Sequence, residues 1–182
     1  ILKRNDPTSA AKQVSLTELG SIKINKEERT KMYKTIPRSS VIGFLIGVLP
    51  GAGATIASFL AYGMERNVVS DEEKEKFGKG SVNGLSAPET ANNAACSGSF
   101  VPMLTLGIPG SGTTAVMLGA LLGFGVQPGP RLYMTNPEIF WSIIMSMYIG
   151  MVILLILNLP LIPYIARILA VPKNYLIPLI LF

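Results

Sequence analysis

Leu49-Pro50-Gly51-Ala52-Gly53-Ala54-Thr55 interrupts an uncharged run, residues 41–62, that is otherwise long enough to cross a bilayer. A straight helix of that length would reach about 33 Å, against a hydrocarbon core of about 30 Å. Pro50 removes a backbone donor and crowds the preceding turn, and Gly51 and Gly53 lift the usual steric limits on the chain. The run is therefore expected to be two half-helices meeting at a break, either crossing the membrane or turning back. Both flanks are basic, with Lys34 and Arg38 before and Arg66, Lys74, Lys76 and Lys79 after. Lys and Arg collect in cytoplasmic loops, so these flanks favour a re-entrant hairpin that starts and ends on the cytoplasmic side.

A second apolar run, residues 102–126, is broken in a similar way. Pro109-Gly110-Ser111-Gly112-Thr113-Thr114 lines up with Pro50-Gly51-Ala52-Gly53-Ala54-Thr55, and each follows one aliphatic stretch and precedes another. Matched Gly/Pro-interrupted segments point to the binding site of a secondary transporter. At a break the second half-helix presents free N–H groups and its positive dipole end, while the first leaves free carbonyls. The former suit an anion and the latter a cation such as sodium. The plainer reading, a pair of kinks that help helices pack, explains one break better than two with matching sequence. Other glycine-rich chemistries fail: neither segment has the Lys of a phosphate-binding loop, and Ile56 stands where a dinucleotide fingerprint needs its third Gly.

The rest of the composition agrees with a membrane setting. Only 15% of the residues are charged, against about 25% in soluble domains. Residues 1–38 hold nine of the sixteen Lys and Arg, and no basic residue stands between Lys79 and Arg131. The formal charge of +5 thus comes mainly from one polar segment, which reads as a cytoplasmic loop or surface helix rather than a nucleic-acid contact. The chain has no His, which removes Ser-His and Cys-His nucleophile pairs, a nucleophile elbow at Ser111, and His-based metal sites. Cys96 stands alone and reads as a small packing residue. No metal site and no cofactor is expected.

These features divide the chain into a polar loop at 1–38 and a permease region at 39–182. Within the latter, 81–101 is small, weakly polar and uncharged apart from Glu89, which suits a helix buried in a membrane bundle. Residues 127–138 are Pro/Gly-rich and should turn. Residues 139–159 read as the cleanest spanning helix, with Trp141 as an interfacial anchor. An interfacial helix at 160–173 and the start of another at 175–182 follow. The chain begins without Met and stops inside an apolar run, so it reads as an internal piece of a longer protein. The fold class expected is an all-α integral membrane protein: a multi-helix bundle with broken or re-entrant helices, part of an inverted-repeat-type transporter.

With these residues laid out, the sequence resembles the large membrane subunit of tripartite tricarboxylate transporters, the TctA family. The resemblance is carried by Gly47-Val-Leu-Pro-Gly-Ala-Gly-Ala-Thr55, Ala87-Pro-Glu-Thr-Ala-Asn-Asn-Ala94, Val101-Pro-Met-Leu-Thr-Leu-Gly-Ile-Pro-Gly-Ser111 and Pro128-Gly-Pro130. It implies part of a multi-pass permease of a bacterial inner membrane, from the second half of its subunit. Such a permease works with a small membrane subunit and a periplasmic solute-binding protein, and imports citrate or related di- and tricarboxylates on a sodium or proton gradient. The family often carries an acidic residue where this chain has Asn83, which leaves Glu89 as the remaining carboxylate of the apolar centre.

The carboxylate substrate is expected between the two breaks, held by backbone N–H groups near Gly51, Gly53, Gly110 and Gly112 and by hydroxyls of Thr55, Ser111, Thr113 and Thr114. Asn92 and Asn93 can serve anion or cation, or tie helices together. Glu89, with Asn93, is the candidate for ion coupling, since an ionisable residue at membrane depth is a functional candidate by default. It is equally a helix-start residue after Pro88. A non-transporting scaffold subunit explains the helices but not the matched breaks. An intramembrane enzyme would need a base or a second acid beside Glu89, so no catalytic residue is assigned. Thr55→Ala and Asn93→Ala should each abolish uptake by the complete permease while leaving its level in the membrane unchanged, and normal uptake by both would remove this site.

Overall fold

The computed structural model describes residues 24–168. Most of the expected loop at 1–38 lies outside the described residues, as do the last residues of the 160–173 helix and all of 175–182. Among the described residues every regular element is helical, as the composition implied. Residues 24–144 form one compact unit, and the chain from Met145 belongs to another.

Helix α1, Lys26–Val48, opens on Asn25, whose side chain and that of Glu28 cap each other's backbone N–H groups. It takes in the end of the polar segment 1–38, expected as a loop or surface helix, and runs on through Pro37 into the apolar run. The chain then reverses at Leu49-Pro50-Gly51-Ala52. Ala52 N–H donates to the Leu49 carbonyl at 3.2 Å, and Gly51 adopts φ +82°, which only Gly takes without strain. A type II turn requires Gly or Asn at its third position and commonly has Pro at its second. Helix α2, Gly53–Val68, returns antiparallel to α1, so that Arg38, midway along one, meets Glu65 near the end of the other. Segment 41–62 is therefore a helical hairpin.

After the short helix α3, Asp71–Lys74, comes α4, Val82–Gly98. Helix α4 runs parallel to α1 in a fixed register: Asn83 meets Thr35, 48 residues earlier, and Gly43 and Gly47 face Ala91 and Ala95 at the same offset. The contact is backbone on backbone. A Cβ on Gly43 or Gly47 would overlap the main chain of Ala91 or Ala95, and one on Gly98 would overlap the Phe44 carbonyl. Small residues recur every fourth position on all three helices: Thr35, Ser39, Gly43 and Gly47 on α1, Ala57 and Ala61 on α2, and Asn83, Ala87, Ala91 and Ala95 on α4. That spacing places them on one face of each helix. Large apolar side chains, among them Val41, Leu45, Ile56, Phe59 and Leu60, are exposed instead. A core of Gly, Ala, Ser and Thr inside a shell of Leu, Ile and Phe is how helices pack in lipid, where burial of apolar groups supplies no force between them.

Helix α5, Phe100–Leu106, continues from α4 across Ser99, which caps both. Gly107, at φ +70°, ends it. Helix α6, Gly112–Gly123, and the short α7, Leu132–Thr135, follow. A second apolar cluster, built on Met103, Leu104, Val126 and Leu132, joins α5, α6 and the start of α8. Helix α8, Pro137–Ile168, continues without interruption past residue 159, where a separate interfacial helix was expected. Pro160 deletes a single backbone donor there, a loss that membrane helices tolerate. Pro137–Ile162 is long and apolar enough to cross a membrane, and its most apolar stretch is wholly unburied.

The polar end of the α1–α2–α4 bundle is closed by charge. Glu73 Oε2 takes Lys31 Nζ at 3.1 Å and Lys76 Nζ at 3.4 Å, and Ser81 Oγ donates to Oε1 at 2.9 Å. Burial works against the Glu73 charge, but the bonds from Lys31, Ser81 and Lys76 outweigh it and hold the carboxyl below its ordinary 4.5. Lys31 is raised above its ordinary 10.5 by hydrogen bonds to Glu27 and Glu73. Beside this cap lies a cleft of about 460 Å³ whose walls include Lys31, Lys34, Glu72, Glu73 and Lys76, with Arg38 and Asn83 also lining it.

Three consequences are measurable on the complete protein in detergent. Gly47→Ala should lower thermal stability by about 2 kcal/mol or more, since the added carbon meets backbone that cannot yield. Gly63→Ala, where a Cβ meets nothing within 4 Å, should stabilise by about 0.5–1 kcal/mol. Glu73 contributes stability above pH 4.5 that is lost as the pH falls through its lowered folded value. Lys31 contributes below pH 10.5 and loses its share as the pH rises through a raised value. Glu73→Gln should therefore flatten the acid limb of the stability profile, and an acid limb like that of the wild type would show that the cap is energetically idle.

Candidate functional site

The two breaks are built differently and come close together. At the first, Ala52 precedes α2 without a side-chain cap, so the N–H groups of Gly53, Ala54 and Thr55 have no partner within the helix. Gly51 and Thr55 are exposed, Gly53 is half-buried at φ +67°, and a Cβ on either Gly would enter open space. At the second, Ser111 caps α6. Thr114 N–H donates to Ser111 Oγ at 3.2 Å, and Ser111 N–H donates to Thr114 Oγ1 at 2.8 Å. Thr114 Oγ1 also donates to the Ser111 carbonyl at 2.9 Å. The hydroxyls of Ser111 and Thr114 thus hold the helix start in shape. Gly112 and Thr113, both exposed, present the open N–H groups and the Thr113 hydroxyl.

Gly110 joins the breaks. It is buried, and a Cβ there would crowd Ser99 at 2.9 Å and come within 3.4 Å of the Gly47 carbonyl. The second break therefore rests on the last turn of α1, which leads directly into the first. Pro128 supports it from behind: its carbonyl stands against Gly107, and Gly129 N–H donates to the Leu104 carbonyl at 3.2 Å.

The polar residues of α4 are placed on two faces. Glu89, Asn92 and Asn93 are exposed, off the face that packs on α1 and α2. Asn93 Nδ2 donates to the Glu89 carbonyl one turn earlier, at 3.1 Å, and Asn92 Oδ1 meets Cys96 Sγ at 3.8 Å. No hydrogen bond among the described residues ties Glu89, Asn92 or Asn93 to either break. Cys96 is exposed rather than packed, because it falls beside Asn92 on this outer face and away from the stripe of small residues.

The buried faces of α1, α2 and α4 enclose a charged group on α2 that the sequence did not single out. Glu65, wholly buried, lies where α1, α2 and α4 meet. Its Oε1 accepts from Arg38 Nη2 at 2.7 Å, Thr35 Oγ1 at 2.8 Å and Asn83 Nδ2 at 3.1 Å. Asn83 Nδ2 also donates to Thr35 Oγ1 at 2.9 Å. Sequence alone assigns Glu65 no role beside Arg66 in the charged flank. The signal that finds it is its spacing, four and eight residues after Ala61 and Ala57 on the packed face.

Residues 2–182 match the tripartite tricarboxylate transporter TctA family. The chain is 39% identical over 177 residues to an uncharacterized 52.8 kDa protein in the TAR-I ttuC' 3' region of Agrobacterium vitis, covering 97% of this chain and 35% of that protein. It is 46% identical over 138 residues to an uncharacterized protein in the TAR-II ttuC' 3' region of the same organism, covering 76% of this chain and 56% of that one. The chain thus spans about a third and just over half of the curated relatives it matches. No solved structure matches it.

Proposed function

Because the chain belongs to the tripartite tricarboxylate transporter TctA family, we propose that it forms part of a permease that imports di- or tricarboxylates across a bacterial inner membrane. The observation that carries this reading is the juxtaposition of two Gly/Pro breaks. In each, a helix start with open N–H groups follows directly on a chain reversal or interruption, and Gly110 packs against the turn that feeds the first break. Helix N-termini bind carboxylates through oriented N–H groups and a positive dipole end. Two of them give a polyanion separate points of attachment without a buried Lys or Arg, and such weak, dispersed donors also permit release.

In this reading Gly53, Ala54, Thr55, Gly112 and Thr113 supply main-chain donors. The hydroxyls of Thr55 and Thr113 add two more, and Asn92 and Asn93 close the site when further parts of the complete permease cover the outer face of α4. Gly51 and Gly110 serve by shape, one permitting the turn and the other the close approach. Ser111 and Thr114 hold the second helix start in position. The complete protein would be a multi-pass bundle with an inverted repeat, working with a small membrane subunit and a periplasmic solute-binding protein. Import would draw on a sodium or proton gradient.

The test is uptake of labelled citrate and several dicarboxylates by cells carrying the complete permease with its partner subunits, with and without sodium. Saturable uptake that needs the permease is the expected result. Absence of uptake for every carboxylate, with the protein present in the membrane, would contradict the reading.

A further inference from the structure

Glu65 leaves half of its carboxylate unused. All three of its donors fall on Oε1, while Oε2 is buried with no hydrogen-bond partner. Asn83 Oδ1 and Ser39 Oγ are likewise buried and without a partner. The Asn83 amide cannot simply be turned over to cure this, because its nitrogen is needed to donate to Glu65 and Thr35. Ser39 follows Thr35 by one turn on the same buried face of α1, and Thr35 touches both Glu65 and Asn83. Three oxygens with free lone pairs, one from each of three helices, thus lie on the buried faces that enclose this negative charge, Ser39 one turn along α1 from the Thr35 that bonds it. Buried polar atoms in this state call for an occupant, and two of these three can only accept.

We propose that Glu65, Asn83 and Ser39 form a binding site for a monovalent metal cation of sodium's kind. Hard cations take oxygen ligands, and one carboxylate with two neutral oxygens suits a single charge better than two. A proton on Oε2 supplies a single donor and leaves at least one of Asn83 Oδ1 and Ser39 Oγ without a partner. The present counter-charge is Arg38, which bonds Glu65 through Nη2 while its Nε is also buried and unpartnered. A metal ion and a guanidinium on one carboxylate repel each other, so they would exchange. Arg38 is placed for that: its side chain is 37% exposed and lines the charged cleft, as does Asn83. The cleft is the route by which the ion enters and into which Arg38 withdraws. Within the permease reading this cation would be the one whose gradient drives import, which moves ion coupling from exposed Glu89 to buried Glu65. The site itself stands without that reading.

The experiment measures sodium directly on the purified complete permease, with no carboxylate present, so that it is independent of anion transport. Tracer sodium binding and the thermal midpoint are compared in sodium and choline chloride. The wild type should bind sodium saturably and melt higher in sodium. Ser39→Ala deletes an oxygen that bonds nothing else, so it should fold normally and bind sodium about three- to tenfold more weakly. Glu65→Gln should lose the binding, and Arg38→Ala, relieved of its competitor, should show a larger sodium-dependent rise in midpoint than the wild type. Glu89→Gln should bind as the wild type does. Absence of saturable sodium binding by the wild type would overturn the proposal and leave a cluster that water satisfies. Unaltered affinity in Ser39→Ala would also overturn it.

Discussion

The backbone contact between α1 and α4 is the constraint on which the rest of this structure depends. Gly43, Gly47 and Gly98 let two parallel helices touch main chain to main chain. Only that proximity brings the end of α1, the joint at Ser99 and the second break at Gly110 to one place. The same register puts Thr35 opposite Asn83 and sets both against the buried Glu65. Packing of small residues is what helices in lipid have in place of an apolar core. In this protein it therefore sets both the approach of the breaks and the burial of a carboxylate.

The two ends of the bundle do different chemical work. Among the described residues the breaks themselves, 49–55 and 107–114, carry no ionisable side chain, and their polarity comes from main-chain N–H groups and hydroxyls. At the opposite end Glu65 and Glu73 are each held by cationic and neutral donors beside a charged cleft. A fully buried carboxylate is costly unless paired, and one paired on a single oxygen is only half compensated. The proposed anion and cation sites are thus separated along the helices, with the Ala and Gly layers between them.

Much of this was legible in the residues because it is local. Pro50-Gly51 and Pro109-Gly110 announce breaks by backbone chemistry alone, and Ser111-Gly-Thr-Thr114 carries a helix start. The basic flanks at Arg38 and Arg66 favoured a segment 41–62 that turns back over one that crosses, and in the structure α1 and α2 run antiparallel with Arg38 on Glu65. What was not legible is tertiary. Nothing local says that α1 pairs with α4 at an offset of 48 residues, so the faces of α4 could not be told apart. Glu89 and Asn93 drew notice as polar residues in a bare stretch and proved to be exposed, whereas Asn83 and Glu65 sit at element edges and proved to be buried. The helix boundaries expected at 38 and 159 followed changes of polarity, which α1 and α8 run straight through.

The central claim is that both breaks face one carboxylate. It is tested most directly by placing a single cysteine at Thr55 or at Thr113, each in a Cys96→Ser background of the complete permease, and following its reaction with a thiol reagent in membranes. If one site spans both breaks, citrate or the dicarboxylate that is transported should slow labelling at both positions with the same half-saturating concentration. Protection at neither position, or at the two with clearly different concentrations, would contradict it.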